Sequence, residues 1–273
     1  MRNKSIERHD KMKPNKLREL LNAGQPTVGT HIHSTWPSIV EIVGHTGMFD
    51  YVEFVAEYAP FDLYDLENLC RAAELSDLST MIKVDQEPRR FLAQRAIGAG
   101  FQSVLFADCR TADEARECVR AVRPETPQDG GLHGVATRRS TYMRYAGTAA
   151  YVQALNDVVV VLMIEKQGAV EHLEEILSIG EIDMIQWGPA DYCMSVGRPG
   201  DWYDPEIKAI ERQVIETGLK MGVAPRAEIN SPEQARYYLD LGVRHFCIAT
   251  DILILYHWLK ENGERLRQVI SDA

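Results

Sequence analysis

From Thr27 onward the chain repeats one pattern: a short apolar run, a turn, then a longer stretch in which apolar and charged positions recur at helical spacing. Strands are predicted at TVGTHI (27–32), YVEFV (51–55), STMIKV (79–84), QSVLFA (102–107), VVVVLMI (158–164), IDMIQW (182–187), MGVAP (221–225) and HFCIA (245–249). Between them lie helical segments such as DLYDLENLCRAAELS, TADEARECVRAVR and GAVEHLEEILSIG, and the chain ends in the amphipathic DILILYHWLKENGERLRQVISDA. Thr111 with Glu114, and Ser231-Pro232 with Glu233, predict helix N-caps, in which a side-chain oxygen accepts an orphan N–H. Glycine in GMFD, GAGFQS, GEIDM and DLGVRH follows a helix and precedes a strand, as an αβ loop requires. Eight such units, with no GxGxxG after the first strand and no break in composition, predict an α/β fold of the (β/α)8 TIM-barrel kind spanning residues 1–273 as a single domain. An open, doubly wound sheet is the alternative.

Two segments depart from the pattern. Residues 1–16, MRNKSIERHDKMKPNK, form a polar lead. Residues 123–157 make a connection much longer than an ordinary αβ loop. It begins rich in Gly and Pro, gathers Arg138, Arg139 and Arg144 among aromatic residues, and ends in a predicted short helix, YVQALND. It reads either as a surface excursion or as a positively charged flap that helps hold an anionic substrate or meets a partner subunit.

The charge balance narrows the function. A formal net charge of −10, without a compact Lys/Arg run, argues against nucleic acid and anionic membranes as partners. The longest apolar run, Val158 to Ile164, falls far short of the roughly 20 residues that span a bilayer. The polar first residues lack the apolar stretch of a secretory signal, so a cytoplasmic location is expected. Five widely spaced cysteines without CxxC suggest small buried side chains, neither a disulfide framework nor a structural zinc site.

In a barrel, chemistry gathers at the C-terminal strand ends. Those ends carry His31 and His33, then Glu53, Glu57 and Tyr58, then Lys83 and Asp85, then Glu165, then Trp187 through Asp191. Glu165 follows seven apolar residues, and a carboxylate there is costly unless a cation or strong donors compensate it. Asp191 lies in WGPAD, where Gly188 and Pro189 turn the chain out of the sixth strand. Adjacent strand ends bring the two carboxylates together, as hard oxygen ligands suited to Mg²⁺ or Mn²⁺. The other reading gives Asp191 an N-cap role and Glu165 a salt bridge. Asp108, in ADCRTADEA, is a weaker candidate because it is placed to cap the next helix.

The pieces GMFDYVEFVAEYAP, TADEAREC, YVQALND, VLMIEKQGAVEHLEEI and IDMIQWGPADY resemble the HpcH/HpaI aldolase family of metal-dependent class II pyruvate aldolases. The resemblance runs from about Gly29 to the final helix. It implies a barrel of the phosphoenolpyruvate/pyruvate type, commonly a homo-hexamer with exchanged terminal helices, that acts on pyruvate or another 2-oxo acid and an aldehyde. It also implies that Glu165 and Asp191 hold the metal; Trp187, Gly188, Pro189 and His31, at the strand ends, are expected near the substrate. Departures are equally informative. Where the family has an Asp/His pair for proton transfer this chain reads Val55, Ala56, Glu57, Tyr58; Lys83 stands for the catalytic arginine, and His133-Gly134 for an Arg-Gly.

The expected activity is therefore a divalent-metal-dependent carbon–carbon lyase acting on a small carboxylated substrate. The metal polarises the ketone and stabilises the enolate left by bond cleavage. Lys83 holds developing anionic charge as a point cation, forms a Schiff base, or is structural. Tyr58 relays a proton or stacks over the substrate, His31, His33 and His133 are candidate substitute bases, and Glu57 is expected to contact metal-bound water. Two alternatives remain open: non-aldol enolate chemistry such as decarboxylation or condensation, and a non-catalytic barrel with a binding or assembly role.

Overall fold

The structure, a computed structural model, describes residues 12–135 and 145–273. Arg138, Arg139 and Arg144, together with the first part of the polar lead, lie outside the described residues. Eight parallel strands pair in sequence order and close on themselves. They are β1 (Thr27–Ile32), β2 (Tyr51–Val55), β3 (Ser79–Val84), β4 (Ser103–Phe106), β5 (Val159–Ile164), β6 (Met184–Trp187), β7 (Ala224–Ile229) and β8 (His245–Thr250). The helices are α1 (Lys16–Asn22), α2 (Pro37–Thr46), α3 (Leu63–Glu74), α4 (Arg89–Ala99), α5 (Ala112–Val122), α6 (Ala149–Asn156), α7 (Gln167–Glu171), α8 (Leu173–Leu177), α9 (Pro189–Ser195), α10 (Pro205–Met221), α11 (Ala235–Asp240) and α12 (Asp251–Ser271).

Strand period two divides the core into two layers. Residues of one parity, such as Val52, Phe54, Ile82, Val104, Leu162 and Ile185, pack outward against the helices. The other parity fills the barrel: Tyr51, Met81, Leu105, Val159, Val161, Met163 and Met184 form an apolar plug with Leu17 of α1. The same inward parity, carried toward the C-terminal ends, places Lys83 two residues above Met81 and Glu165 two above Met163. The periodicity that packs the core therefore also aims the polar side chains.

Local chemistry accounts for most boundaries. The Thr111 hydroxyl accepts the Glu114 N–H at 3.2 Å, as expected of an N-cap. Thr148 likewise caps α6, the short helix expected at the end of the long connection. The Ser231 segment differs: Pro232–Gln234 forms a 3-10 turn ahead of α11, and no side chain caps it. The helix expected over GAVEHLEEILSIG is broken at His172 into α7 and α8.

The seventh strand lies later than expected. Met221 closes α10, and Gly222 adopts φ 78° as its left-handed cap, so the apolar MGVAP segment ends a helix before β7 begins at Ala224. The pattern misleads here because the inward side chains of β7, Arg226 and Glu228, are charged. The end of the polar lead is also structural. Asn15 caps α1, and its amide donates to the carbonyls of Gln102 (2.7 Å) and Asp157 (2.9 Å), while its oxygen accepts from Ser79 Oγ (2.9 Å). Arg18 forks onto Asp183 at 2.5 and 2.6 Å, sealing the N-terminal mouth of the barrel. Replacing buried Asn15 by Ala leaves those groups unpaired. Its urea midpoint is expected to fall by an amount equivalent to about 2–3 kcal/mol, and an unchanged midpoint would mean α1 docks through Leu17 alone.

Candidate active site

Glu165 leaves the end of β5 almost wholly buried, 2% exposed. Its Oε1 accepts the backbone N–H of Asp108 at 3.0 Å. Asp108 adopts φ 61° to present that N–H, a conformation that costs energy for any residue but glycine. On the other side stands Gly188, where a Cβ would fall 2.6 Å from Glu165 Cβ and 2.7 Å from its Oε2. Glycine is required there for side chain and backbone to approach so closely. Burial raises the Glu165 carboxyl to about 7, with the Lys83 charge and the Asp108 N–H opposing the rise. One backbone donor leaves the carboxylate under-compensated, the condition in which a cation is held well.

Lys83, from the inward face of β3, meets Glu57 at 2.6 Å and the Tyr58 hydroxyl at 3.4 Å. Burial pushes its ammonium down, but the Glu165 and Glu57 carboxylates outweigh that and hold it above its ordinary range, so it stays charged. Burial lifts the Tyr58 hydroxyl to about 12 against the opposing pull of Lys83, so the phenol keeps its proton at neutral pH. The rings of His33 and Tyr58 lie 6.1 Å apart, which brings an imidazole beside the phenol.

Asp191 sits in the first turn of α9, whose N-cap is Gly188; Asp191 caps no helix. Its Oδ1 meets Lys166 Nζ at 2.9 Å, and the same ammonium meets Asp108 Oδ1 at 2.6 Å. Burial lowers the Lys166 amine, while its bonds to Asp108 and then Asp191 raise it by more, again fixing a cation. Sequence reasoning undervalued Asp108 and passed over Lys166. A usable signal existed, since Asp108 follows the apolar β4 run much as Glu165 follows β5. Among these groups the carboxylates of Glu57, Asp108, Glu165 and Asp191 outnumber the ammonium groups of Lys83 and Lys166, a balance suited to a divalent cation.

Beneath this layer His31 does not reach the open site. It lies inside the barrel between Glu53 (3.4 Å) and Glu228 (3.5 Å). Arg226 crosses from β7 to pair with Glu53, donates to Gln186 Oε1 at 2.6 Å and touches the Tyr51 hydroxyl at 3.3 Å. Burial opposes ionisation of Glu53, but Arg226 and His31 hold its carboxyl well below the ordinary range. Donor atoms of His31, Glu53 and Cys247 fall within 4.8 Å of one another. Arg226 already neutralises Glu53, so this layer is an ion-paired floor with no charge left over for a metal.

A cavity of about 520 Å³ opens over the upper layer. Tyr58, Lys83, Glu165, Trp187, Gly188, Pro189 and Asp191 all line it, and Trp202, Tyr203, Arg226 and Glu228 extend the wall. Glu57 joins through Lys83. His133 is placed elsewhere: its backbone bonds Arg123 at the end of α5, and its ring stacks edge-on to Tyr151 at 6.4 Å. Arg123 in turn bonds the carbonyls of Leu155 and Val158, at the N-terminal end of β5, opposite the cavity. Burial lowers the His133 imidazole to about 4, so it remains neutral. The long connection brings His133 home beneath the barrel, a path no local pattern reveals.

A closed eight-stranded parallel barrel with carboxylates gathered at the C-terminal strand ends places the protein in the (β/α)8 TIM-barrel class. The sequence matches the HpcH/HpaI aldolase/citrate lyase family over residues 28–246, and the chain belongs to that family, whose members are metal-dependent class II aldolases and lyases. It is 28% identical over 243 residues to a 4-hydroxy-2-oxo-heptane-1,7-dioate aldolase of Escherichia coli, covering 88% of this chain and 90% of that protein. It is 27% identical to a hydroxypyruvate/pyruvate aldolase of Cupriavidus necator, covering 95% of each chain. A crystal structure of an HpcH/HpaI aldolase/citrate lyase family protein from Burkholderia cenocepacia J2315 superposes with a TM-score of 0.84 at 27% identity, covering 93% of this chain and 100% of that one. The protein is thus a lyase-type enzyme of the aldolase kind.

The burial cost of Glu165 is measurable. Its folded-state carboxyl titrates near 7, above the ordinary 4.5, so folding takes up a proton between those values and stability falls as pH rises across that window. In chelator-treated protein, Glu165→Gln is expected to stabilise by about 1–3 kcal/mol near pH 8 and by much less near pH 5. Equal shifts of the urea midpoint at both pH values would show that the carboxylate is not desolvated.

Proposed function

We propose that this enzyme makes or breaks a carbon–carbon bond next to the carbonyl of a small 2-oxo acid such as pyruvate, with Glu165 and Asp191 holding Mg²⁺ or Mn²⁺. The observation that carries the reading is the under-compensated Glu165 carboxylate, cradled by Gly188 and facing the same cavity as Asp191 and the Lys83 ammonium. When bound, the divalent cation supplies a Lewis acid that polarises the carbonyl and neutralises charge developing on its oxygen.

The remaining roles belong to side chains. Lys83, kept charged by Glu165 and Glu57, holds the anionic end of the substrate. A permanently protonated amine is no nucleophile, which disfavours a Schiff base. Tyr58 keeps its proton and touches Lys83, so it is placed to donate that proton to an anion held there, with His33 beside it to restore it. Trp187, Gly188 and Pro189 shape the cavity wall around the oxo acid. His31 acts one layer down by positioning Glu228, and His133 takes no part in the chemistry.

Pyruvate incubated with the Mn²⁺-loaded enzyme in deuterated water is expected to gain deuterium at its methyl carbon. Glu165→Ala should abolish both that exchange and Mn²⁺ binding, and exchange that persists in this variant would remove Glu165 from the scheme. Tyr58→Phe should lower the exchange rate about 10²–10⁴-fold with the pyruvate KM little changed, since it removes a proton donor and leaves binding intact. Val55 and Tyr58, standing where the resemblance predicts Asp and His, favour a second reading, decarboxylation or condensation through the same enolate. Release of carbon dioxide from oxaloacetate without aldehyde consumption would select it. Failure to bind any divalent metal would overturn the roles given to Glu165 and Asp191.

The same reading extends to assembly and setting. In the C-terminal helix α12 only Asp251 is buried, while Ile254, Leu255, Trp258, Leu259, Leu266 and Ile270 are exposed, Trp258 by 63%. On the barrel, Val28 is exposed and Phe246 and Ile248 are half-buried. An amphipathic helix with its apolar side in water and an uncovered barrel wall fit exchange of α12 between subunits of a homo-oligomer, a hexamer by family resemblance. Leu255→Glu combined with Leu259→Glu is expected to reduce the mass measured by light scattering. No helix of the described residues is long and apolar enough to cross a membrane. The described cysteines are all buried, as small core side chains are. The chain is taken to act as one barrel domain over 1–273, with 123–157 as an inserted connection.

A further inference from the structure

Lys166 follows Glu165 directly, and as the chain turns out of β5 its side chain is delivered to Asp191, the second proposed metal ligand. The ammonium lies 2.6 Å from Asp108 Oδ1 and 2.9 Å from Asp191 Oδ1, within hydrogen-bonding range of both. Its side chain is 15% exposed, against 39% for Asp191, so the contact is shielded more than an ordinary surface ion pair. Asp108 is itself fixed by the backbone that donates to Glu165. Thus Asp108, Glu165, Lys166 and Asp191 form one connected cluster in which a fixed side-chain cation already neutralises the carboxylate that a metal would use.

We propose that Lys166 is a built-in competitor for the divalent cation: it sets the metal affinity of this site by sharing Asp191, and Asp108 is its second anchor. The inference rests on the metal reading above and concerns residues that reading does not use. A carboxylate engaged by an ammonium offers less charge to a second cation, because the two positive charges repel across a few ångströms. Removing the ammonium frees Asp191 and takes away the repulsion together. A metal arriving at the site weakens the Lys166–Asp191 bond, and Asp108 retains the ammonium. The alternative is a lysine that merely orients Asp191, in which case removing it would disorder the ligand and weaken metal binding.

The two roles predict opposite signs. Mn²⁺ binding to the full-length protein, measured by the electron paramagnetic resonance signal of free Mn²⁺, is expected to tighten about tenfold in Lys166→Gln, the size appropriate to one partly shielded ion pair. Lys166→Arg, which keeps the charge, is expected to stay within about threefold of the parent. Glu165→Gln is titrated in parallel. If the parent binds Mn²⁺, Glu165→Gln does not, and Lys166→Gln binds with unchanged or weaker affinity, competition is overturned while the metal reading stands. If the parent binds no Mn²⁺, both are overturned. A second measurement uses the parent protein alone, so it does not depend on how a variant folds. Reductive methylation followed by peptide mass spectrometry should show Lys166 labelled severalfold faster with Mn²⁺ than without, and equal rates would refute the release from Asp191.

Discussion

Carrying the Glu165 carboxylate into the protein is the constraint around which the upper end of the barrel is arranged. A desolvated carboxylate demands compensation, and this fold delivers it in parts. The backbone of Asp108 gives one hydrogen bond, at the cost of a left-handed backbone. Gly188 removes the Cβ that would displace the side chain. Lys83 supplies charge through space, although it spends its shortest contact on Glu57. The compensation is incomplete, and the carboxyl rises toward neutrality for that reason. An incompletely paired carboxylate is poor for stability and good for binding a cation, the usual exchange between stability and function.

The floor of the site resolves the same problem differently. Glu53 and Arg226 face each other across the barrel from β2 and β7, and Gln186, Tyr51 and His31 take up further bonds. That layer is matched charge for charge and sits directly on the apolar plug of Tyr51, Met81, Leu105 and Met184. An ion-paired floor beneath an under-compensated ceiling leaves the reactive groups no free counter-charge to relax toward. The plug is in turn closed from below by Leu17, Asn15 and Arg18. The placement of the upper carboxylates thus depends on packing that runs the length of the barrel.

The family resemblance read from the sequence implies a retained carboxylate pair with changed neighbours. A lysine in place of an arginine gives up the bidentate fork but still presents a fixed positive charge. A tyrosine in place of a histidine replaces a group that titrates near neutrality with one that holds its proton more firmly here. The change bears on how protons move, and the residues that would hold the metal are unaffected by it. Lys166 adds a cation of its own beside Asp191.

By itself the sequence determined the barrel, because alternation of apolar runs with capped amphipathic segments is a local property and admits few topologies. It also singled out Glu165 and Asp191 as candidates, since a carboxylate after seven apolar residues and a Gly-Pro turn out of a strand are visible without knowing what lies across the barrel. It misplaced β7, whose charged inward face hides the strand pattern, and it missed the structural use of Asn15 in a polar lead. Only tertiary structure decided which polar residues meet. Lys166 reaches Asp191 over 25 positions, Asp108 reaches Glu165 over 57, and Arg226 reaches Tyr51 over 175, while His133 turns away to the far end of the barrel. Those pairings are set by where a strand ends on the closed cylinder, a relation between distant segments that no local pattern records.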